Sequence, residues 1–409
     1  MSTRSDLFRK QHFPTSSRRD WGDWQWQLRN RYRSLDQLEA AFELSEDERQ
    51  AIRQRNGSLP LAITPYYASL LATSDPHEPL RRTMIPSMRE YSRAPGEHDD
   101  PLGEEAHSPV HGIVHTYPAK ALFLVSDHCA TYCRYCTRSR VVGSGEIPAA
   151  IPQWETALDY IRSHPEIEDV LISGGDPLTL TDDKLEWLLA QLHAIEHVRL
   201  IRIGTKTPAV LPQRFTPGLA RMLKRYHPLW ISVHFTHPRE LTPEVTRAVN
   251  RLTNAGIPLA NQTVLLAGIN DDPATMRALM DGLVRLRIRP YYLHQCDAVT
   301  GSSHFRTPVD RGLEIIRSLH GFTTGYAVPT YMIDAPGGGG KRDAHSFEHY
   351  DRETGISVYT APAVKEGRLF TYFDPLALLS PSIQKDWQNP KRQKEMVADA
   401  RSAAQARII

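Results

Sequence analysis

The sequence has few cysteines, no long apolar run and almost no net charge, and each of these absences excludes a class of protein. Four cysteines among 409 residues, three of them close together, do not make a disulfide framework. No stretch approaches the ~18 apolar residues of a membrane span, and the N-terminus has no apolar signal core. The net charge of +2 is too small for a nucleic-acid or membrane-surface binder. We therefore expect a cytoplasmic protein with neither nucleic acid nor membrane as a partner.

Three of the cysteines lie in one short stretch, "DHCATYCRYCTRSR" at 127–140. Cys129, Cys133 and Cys136 are spaced C-x3-C-x2-C. Three thiolates on a short loop can hold three irons of a four-iron cluster and leave the fourth iron open for catalysis. A zinc site usually adds a second cysteine pair or histidines, and the remaining cysteine, Cys296, is isolated. We predict an iron–sulfur cluster, with zinc or unrelated buried thiols as alternatives, and expect Cys296 in the core.

The middle of the chain alternates short apolar runs with helix-like segments. Seven runs are predicted strands: 121–127, 169–176, 199–205, 229–235, 258–266, 287–295 and 326–334. Such alternation indicates a parallel sheet, and six or seven units in a row favour a TIM-type barrel over a two-halved dinucleotide fold. We predict an α/β protein with a partial (β/α)6-type barrel at 119–345, an N-terminal helical extension at 1–118 and a C-terminal extension at 346–409.

The flanks of the predicted barrel carry weaker patterns. The stretch 34–55 has helical apolar spacing, with Ser34 and Ser45 as predicted N-caps. Residues 94–112 are rich in proline, glycine and acid, which predicts irregular structure. Residues 385–409 predict a charged, partly exposed helix. In barrels of this type the chemistry lies at the carboxyl ends of the strands. Polar residues fall at those predicted ends: Cys129, Asp176, Thr205, His234, Gln262, Asp297 and Asp334.

The cysteine spacing after the first strand resembles the signature of the radical S-adenosylmethionine enzymes. In that superfamily the open iron binds the amino and carboxylate groups of S-adenosylmethionine. The stretch "SGGDPL" at 173–178 resembles the strand end that receives the methionine amino group, where glycines permit close backbone approach. The resemblance implies cofactor contacts from Gly174, Gly175, Asp176, His234 and Gln262. A structural hydrogen bond is the alternative for the last two.

A second glycine-rich stretch, "DAPGGGGKR" at 334–342, is not a phosphate-binding P-loop. Ala335 stands where that motif needs its first glycine, and Arg342 follows the lysine. The alternatives are a flexible loop with a surface lysine, or a lysine that forms a Schiff base with pyridoxal phosphate.

The chain from about residue 20 to 345 resembles one family, the lysine 2,3-aminomutases. The matching stretches include "IRIGTKTPAVLPQRFTP", "NQTVLLAGIND", "RPYYLHQCD" and "IDAPGGGGK". The resemblance implies that Lys341 is the catalytic lysine that binds pyridoxal phosphate, contacted also by Tyr117 and Lys120. It implies that Arg138 pairs with the substrate carboxylate, a task that suits a planar guanidinium. Arg134 and Arg140 are expected to be solvated or structural.

Asp297 and Asp334 match the family's two carboxylates that hold the side-chain amino group of lysine. Two carboxylates in a closed site are costly unless a cation joins them, which agrees with a small basic amino acid as substrate. L-Lysine is expected, and arginine remains open because a guanidinium could bridge the same acids. A relative acting on glutamate would be expected to lack this pair. A helix cap is the structural alternative for each aspartate.

The resemblance implies an isomerase that moves the α-amino group to the β-carbon by way of a 5′-deoxyadenosyl radical. It implies a [4Fe–4S] cluster, S-adenosylmethionine, pyridoxal 5′-phosphate, an electron donor of flavodoxin or ferredoxin type, and a homo-oligomer. The alternatives are an arginine 2,3-aminomutase, a non-catalytic iron–sulfur protein, or an enzyme acting on a protein-bound lysine.

The sequence departs from the clostridial members of the family at three points. No cysteine follows Cys296, so their structural zinc between subunits is not expected. His294 stands where those enzymes have a tyrosine near the pyridoxal ring. Thr116 replaces an arginine near the cofactor phosphate. A different substrate and a different lineage are both open as explanations.

Overall fold

A computed structural model describes residues 3–54, 59–361 and 367–408. Short helices build the N-terminal extension: α1 (Arg4–His12), α2 (Arg18–Gly22), α3 (Trp24–Arg29), α4 (Leu35–Glu39), α5 (Glu46–Arg53), α6 (Pro65–Ala68) and α7 (Pro79–Arg82). Ser34 and Ser45 cap α4 and α5 with capping boxes, as predicted. Among the described residues no helix combines the length and apolar character needed to cross a bilayer.

One sheet of nine strands forms the centre of the molecule. Its strands, in chain order and in spatial order, are β1 (Ile113–Tyr117), β2 (Lys120–Leu124), β3 (Asp169–Ser173), β4 (Leu200–Thr205), β5 (Leu229–Val233), β6 (Leu259–Leu265), β7 (Ile288–Gln295), β8 (Thr330–Ala335) and β9 (Gly340–Asp343). Strands β2 to β8 are parallel, whereas β1 and β9 pair antiparallel at the two edges. All seven predicted strands are present, and the partial-barrel fold is confirmed. The boundaries at 118 and 345 stay predictions.

Helices cover the outer face of the sheet between successive strands. They are α8 (Ile151–Arg162), α9 (Asp182–His193), the short α10 (Thr207–Val210), α11 (Pro217–Leu223), α12 (Pro243–Asn254), α13 (Pro273–Arg285) and α14 (Val309–Leu319). The amphipathic pattern explains why they dock: α9 buries Leu185, Leu188, Leu189 and Leu192 on one stripe. Along β4, Ile201 and Ile203 are buried, and Arg202 between them is half-buried on the opposite face of the strand.

The C-terminal extension differs from its prediction. A three-stranded antiparallel sheet precedes the tail: β10 (His349–Asp351), β11 (Ile356–Thr360) and β12 (Leu369–Phe373). The tail is two helices, α15 (Pro381–Gln388) and α16 (Pro390–Ile408), rather than one. Asn389 is extended, and Pro390 lacks the N–H that a continuous helix needs. Trp387, Met396, Ala400 and Ala404 are buried against the small sheet. Residues 55 and 409, which end the two predicted helical stretches, lie outside the described residues.

Candidate active site

The cysteine loop, residues 125–150, leaves the carboxyl end of β2 and carries the three clustered thiols. Cys129 and Cys136 pack against one small apolar cluster, and Cys133 against another. Burial raises the pKa of all three thiols, to about 11 for Cys136. No three histidine, cysteine or acidic side chains in the described part of the chain are placed to share a single metal ion. A four-iron cluster instead joins each cysteine to a different iron.

The surroundings of the thiols fit a negatively charged cluster. A basic side chain acts on each thiol and lowers its pKa against the larger effect of burial: Arg31 on Cys129, Lys206 on Cys133, and Arg138 on Cys136. Arg31 also donates a hydrogen bond of 2.7 Å to the Cys129 carbonyl. Nearby positive charge offsets the cost of burying thiolates and stabilises a reduced, more negative cluster. The donor set therefore fits an iron–sulfur cluster on Cys129, Cys133 and Cys136.

The glycines at the end of β3 touch the backbone of the cysteine loop. Gly174 has φ +123°, and a Cβ there would lie 2.2 Å from the Ser126 carbonyl oxygen. A Cβ on Gly175 would lie 2.5 Å from the His128 carbonyl oxygen. The N–H groups of Gly175 and Asp176 donate to these two carbonyls at 2.5 and 2.8 Å. The strand end and the cysteine loop thus pack backbone to backbone, which only glycine allows.

The Asp176 carboxylate is buried and fully hydrogen-bonded. It accepts from the Thr205 hydroxyl at 2.7 and 2.9 Å and from the backbone N–H groups of Lys206, Thr207 and Leu178 at 2.8, 3.0 and 3.1 Å. Burial raises the pKa of Asp176 against these donors. The carboxylate ties the ends of β3 and β4 together, so both strand ends keep a fixed spacing under the cysteine loop.

Two neutral polar side chains lie at the next strand ends. His234 directly follows β5 and is half-buried; burial, and then the charge of Lys206, lower the pKa of His234 to about 4. Gln262 lies in β6, opposite Tyr292 of β7. Lys206 is itself fixed by the buried Glu240, with Nζ 2.8 Å from Oε1. A neutral imidazole and an amide can bind a ligand without adding charge, and their predicted contact with S-adenosylmethionine stays a prediction.

Lys341 lies on β9 directly opposite Asp334 of β8, rather than on a flexible glycine loop. Its Nζ is 2.7 Å from Oδ2 of Asp334, and its backbone N–H donates to the Tyr117 hydroxyl at 2.6 Å. Lys120 Nζ lies 4.8 Å from the centre of the Tyr117 ring. Burial would lower the pKa of Lys341, but Asp334 raises it overall. The structure thus brings four of the predicted residues together at one side of the barrel mouth.

The second predicted acid, Asp297, follows β7 and belongs to the same cluster. Its Oδ2 accepts a hydrogen bond of 2.6 Å from the Thr137 hydroxyl. Burial, and then the neighbouring Asp334, raise the pKa of Asp297 to about 7. Burial would also raise the pKa of Asp334, but the Lys341 ammonium holds it below its ordinary value. Two carboxyl groups therefore lie beside the Lys341 ammonium, and the charge of Arg138 acts on both of them. Such a pair of acids suits a cationic ligand.

His294 of β7 lies beside this pair. Its Nδ1 is 3.7 Å from Oδ2 of Asp334. Burial, and then the charge of Lys341, lower the pKa of His294 to about 3, so the ring is neutral at physiological pH. The residue that departs from the family's tyrosine is therefore part of the site and adds no charge to it.

Arg138 is paired with Glu104, a residue that the sequence analysis did not single out. Arg138 Nε lies 3.0 and 3.1 Å from the two Glu104 carboxylate oxygens, and Nη2 lies 2.7 Å from Oε1. The neighbouring arginines are paired with acids of the same N-terminal segment: Arg134 with Glu90, and Arg140 with Asp100 and Glu105. Arg134 and Arg140 are thus ion-paired, as expected of structural arginines.

Four residues of the site were not predicted from the sequence: Arg31, Glu104, Thr137 and Lys206. The pairing of Glu104 could have been predicted from charge, because arginines cluster at 134–140 and acids at 90–105, and opposite charges attract. Lys206 follows directly after a predicted strand end, where functional side chains are expected. Thr137 carried no signal beyond its place next to Cys136.

Family comparisons agree with this geometry. Residues 123–279 match the family model described as "Radical SAM superfamily", and residues 316–345 match the one described as "Lysine-2,3-aminomutase". The first match contains the cysteine loop and the strands β3 to β6, and the second contains Asp334 and Lys341. Fold and cysteine loop together define a radical S-adenosylmethionine enzyme, a class that uses a [4Fe–4S] cluster with S-adenosylmethionine.

Comparison with curated relatives identifies the family within this class of enzymes. An L-lysine 2,3-aminomutase from Clostridium subterminale is 49% identical over 80% of this chain and 79% of its own length. One from Fusobacterium nucleatum is 48% identical over 87% of this chain and 86% of its own. A glutamate 2,3-aminomutase from Clostridioides difficile is 44% identical over 79% and 76%. The chain belongs to the lysine 2,3-aminomutase family, as predicted, and is a radical aminomutase, an enzyme of the isomerase type.

Proposed function

We propose that this enzyme is an L-lysine 2,3-aminomutase that depends on pyridoxal phosphate. The observation that carries the proposal is the pair of half-buried acids, Asp297 and Asp334, which lie beside the Lys341 ammonium at the barrel mouth. A lysine substrate brings its own side-chain ammonium to such a pair. Family membership alone leaves the substrate open, because a glutamate enzyme is among the relatives.

The residues at the mouth suit the proposed cofactors. Lys341 would hold pyridoxal phosphate covalently, and Tyr117 with Lys120 would hold its phosphate, since a phenol and an ammonium suit an anion. The cysteine loop would hold the cluster, and Gly174, Gly175, Asp176, His234 and Gln262 would line the S-adenosylmethionine site. When bound, these groups supply a hydrogen-abstracting radical and a conjugated ring that stabilises an unpaired electron.

The protein's own residues would bind and orient the substrate between two charged ends. Arg138 would hold the α-carboxylate through a charge-assisted pair, and Asp297 with Asp334 would hold the side-chain ammonium. While Lys341 is free, its ammonium takes the place beside Asp334 that the substrate's ammonium would occupy. Fixing both ends of a flexible amino acid places one carbon for hydrogen transfer and keeps competing positions away from the radical.

A substrate comparison tests the proposal. Anaerobically reduced enzyme, loaded with iron, S-adenosylmethionine and pyridoxal phosphate, should convert L-lysine to its β-amino isomer and leave L-glutamate unchanged. L-Arginine and a lysine-containing peptide are the discriminating substrates, because each carries the cation but changes its shape or its surroundings. If the enzyme prefers arginine or the peptide, that compound takes the place of L-lysine as the proposed substrate. Inactivity on every basic substrate, with the cluster intact, would favour a non-catalytic iron–sulfur protein.

The pKa of Asp297 predicts the pH dependence of substrate binding. Asp297, raised to about 7, is neutral below that pH and a carboxylate above it. Because the ammonium of lysine needs the carboxylate, kcat/KM should fall by about tenfold per pH unit below pH ~7. The charged groups Asp334, Lys341, Glu104 and Arg138 all act on Asp297.

Two variants test whether the fall in kcat/KM below pH ~7 comes from Asp297 or from another titrating group. Asp297→Asn should lower kcat/KM and remove the acidic limb. Thr137→Val removes a hydrogen-bond donor to the carboxylate, so the midpoint should move to higher pH. A parent profile that is flat between pH 6 and 8 would contradict the assignment.

The proposal also includes the setting of the enzyme. Free thiols that hold iron and sulfide need a reducing compartment, so we place the enzyme in the cytoplasm. An electron donor of flavodoxin or ferredoxin type would reduce the cluster, and the enzyme would act as a homo-oligomer.

A further inference from the structure

An acidic segment of the N-terminal extension, residues 87–107 and here named the acidic strap, crosses the mouth of the barrel. The carboxylate of Glu104, in this strap, accepts hydrogen bonds of 2.7 to 3.1 Å from Nε and Nη2 of Arg138. Both side chains are largely withdrawn from solvent, with exposed fractions of 22% for Arg138 and 9% for Glu104. A paired, charge-assisted fork of this kind fixes the plane of a guanidinium.

The strap holds Glu104 in place before any ligand binds. The carboxylate of Asp100 accepts the backbone N–H groups of Glu104 and Glu105 at 3.1 and 2.9 Å. Gly337, in the turn before Lys341, donates its N–H to the Pro101 carbonyl at 3.0 Å. The strap is therefore tied both to the cysteine loop and to the turn that presents Lys341, and Glu104 is preorganised between them.

The remaining edge of Arg138 is the one that a ligand can use. Within the described residues, Arg138 donates hydrogen bonds only from Nε and Nη2, and Nη1 has no acceptor. Arg138 lies at the same mouth, because Thr137, the residue before it, donates a hydrogen bond of 2.6 Å to Asp297. Its charge also acts on His234 and on Asp334. One fork edge binds one carboxylate in bidentate fashion. With Glu104 in place, Arg138 has one edge left for one carboxylate.

We propose that Glu104 is a positioning residue that aims Arg138 at the substrate's α-carboxylate and limits the site to substrates with a single carboxylate. The inference rests on the proposed role of Arg138 in substrate binding. Glu104 also acts on Asp297, as Asp334 does, so the charge of three carboxyl groups is concentrated in this part of the site. Like charges repel an acidic side chain. Glu104 thereby helps to exclude glutamate as well as to seat lysine.

The neighbouring residue supplies a matched control. Glu105 belongs to the same strap and pairs with Arg140, with Oε1 3.0 Å from Nε, but its side chain is 76% exposed. Glu105→Gln therefore removes one charge from the same strap without changing the contacts of Arg138. A positioning role makes Glu104 alone matter for lysine binding.

The test compares Glu104→Gln, Glu104→Asp and Glu105→Gln in the fully loaded enzyme. We expect Glu104→Gln to raise KM for lysine by about 10- to 100-fold, with kcat changed by less than about threefold, because orientation is lost and chemistry is not. Glu104→Asp, which keeps the charge, should recover part of this loss, and Glu105→Gln should match the parent. Equilibrium binding of lysine to unreduced enzyme should weaken in parallel with KM. A fall in kcat together with lost iron in both Glu104 variants would overturn the inference in favour of a purely structural role for the strap.

A double mutant that combines Glu104→Gln with Arg138→Gln shows whether a failure lies in this inference or in the proposed function. Glu104→Gln should add nothing to the KM of Arg138→Gln, because its effect passes through that arginine. An additive effect would overturn the positioning role. If Arg138→Gln itself leaves KM for lysine unchanged, the carboxylate assignment in the proposed function fails. If Arg138→Gln raises KM and Glu104→Gln does not, only the present inference fails.

Discussion

Replacing Lys341 with alanine is expected to reduce aminomutase activity to below about one thousandth of the parent rate. On the proposed function, Lys341 is the residue that binds pyridoxal phosphate covalently. The substitution also leaves the Asp334 carboxylate without its ammonium partner at 2.7 Å. An uncompensated, partly buried carboxylate should lower the free energy of unfolding by about 1–3 kcal/mol.

Lys341→Arg distinguishes these two effects. Arginine keeps a positive charge beside Asp334 but cannot form the covalent bond to the cofactor. We expect activity to be lost in both variants, and the melting temperature to fall mainly in Lys341→Ala. Borohydride reduction followed by peptide mass spectrometry should find pyridoxal phosphate on Lys341 in the parent and on neither variant. Activity retained by either variant would overturn the assignment of Lys341.

Replacing Asp334 with asparagine should lower kcat/KM for lysine by about 100- to 1000-fold. Asp334 would hold the substrate's side-chain ammonium, and it also fixes Lys341 across the β8–β9 pair. Asparagine keeps the shape of the side chain and removes its charge. The loss should be smaller for an uncharged analogue of lysine, because the analogue never gains the ion pair.

Asp343 offers the control for charge loss on the same hairpin. It lies two residues beyond Lys341 on β9, is 48% exposed, and accepts a hydrogen bond from the backbone of His345. Asp343→Asn should leave kcat/KM for lysine within about twofold of the parent, as surface substitutions usually do. An equal loss in Asp334→Asn and Asp343→Asn would show that hairpin stability, not substrate binding, is being measured.

The barrel was predictable because its signals are local. Each parallel strand is a short apolar run, so its position can be read without knowing its neighbours. Residues at the carboxyl ends of parallel strands meet at one edge whatever the details of packing, and this placed Asp297 and Asp334 together in advance. The three cysteines of the predicted cluster also lie within eight residues, so their spacing could be recognised without knowing the fold.

The missed features depend on contacts between distant segments. Glu104 meets Arg138 across 34 residues, and no periodicity relates the two positions. Lys341 was expected on a loop because its glycines are turn formers, but pairing with β8 makes it part of a strand. The tail helices bury Trp387 and Met396 against strands that carry little pattern of their own. Tertiary packing decides such features, and local propensity does not.

The hydrogen bond between Tyr117 and Lys341 joins the two edges of an otherwise open sheet. Tyr117 ends the first strand and Lys341 lies on the ninth, 224 residues later, yet the phenol oxygen and the backbone N–H are 2.6 Å apart. Because the two residues lie on opposite edges of the sheet, the contact depends on the arrangement of all the strands between them. The position of the reactive amine therefore depends on the whole sheet. If Lys341 binds pyridoxal phosphate covalently, as proposed, a chain with an incomplete sheet would not be able to bind the cofactor.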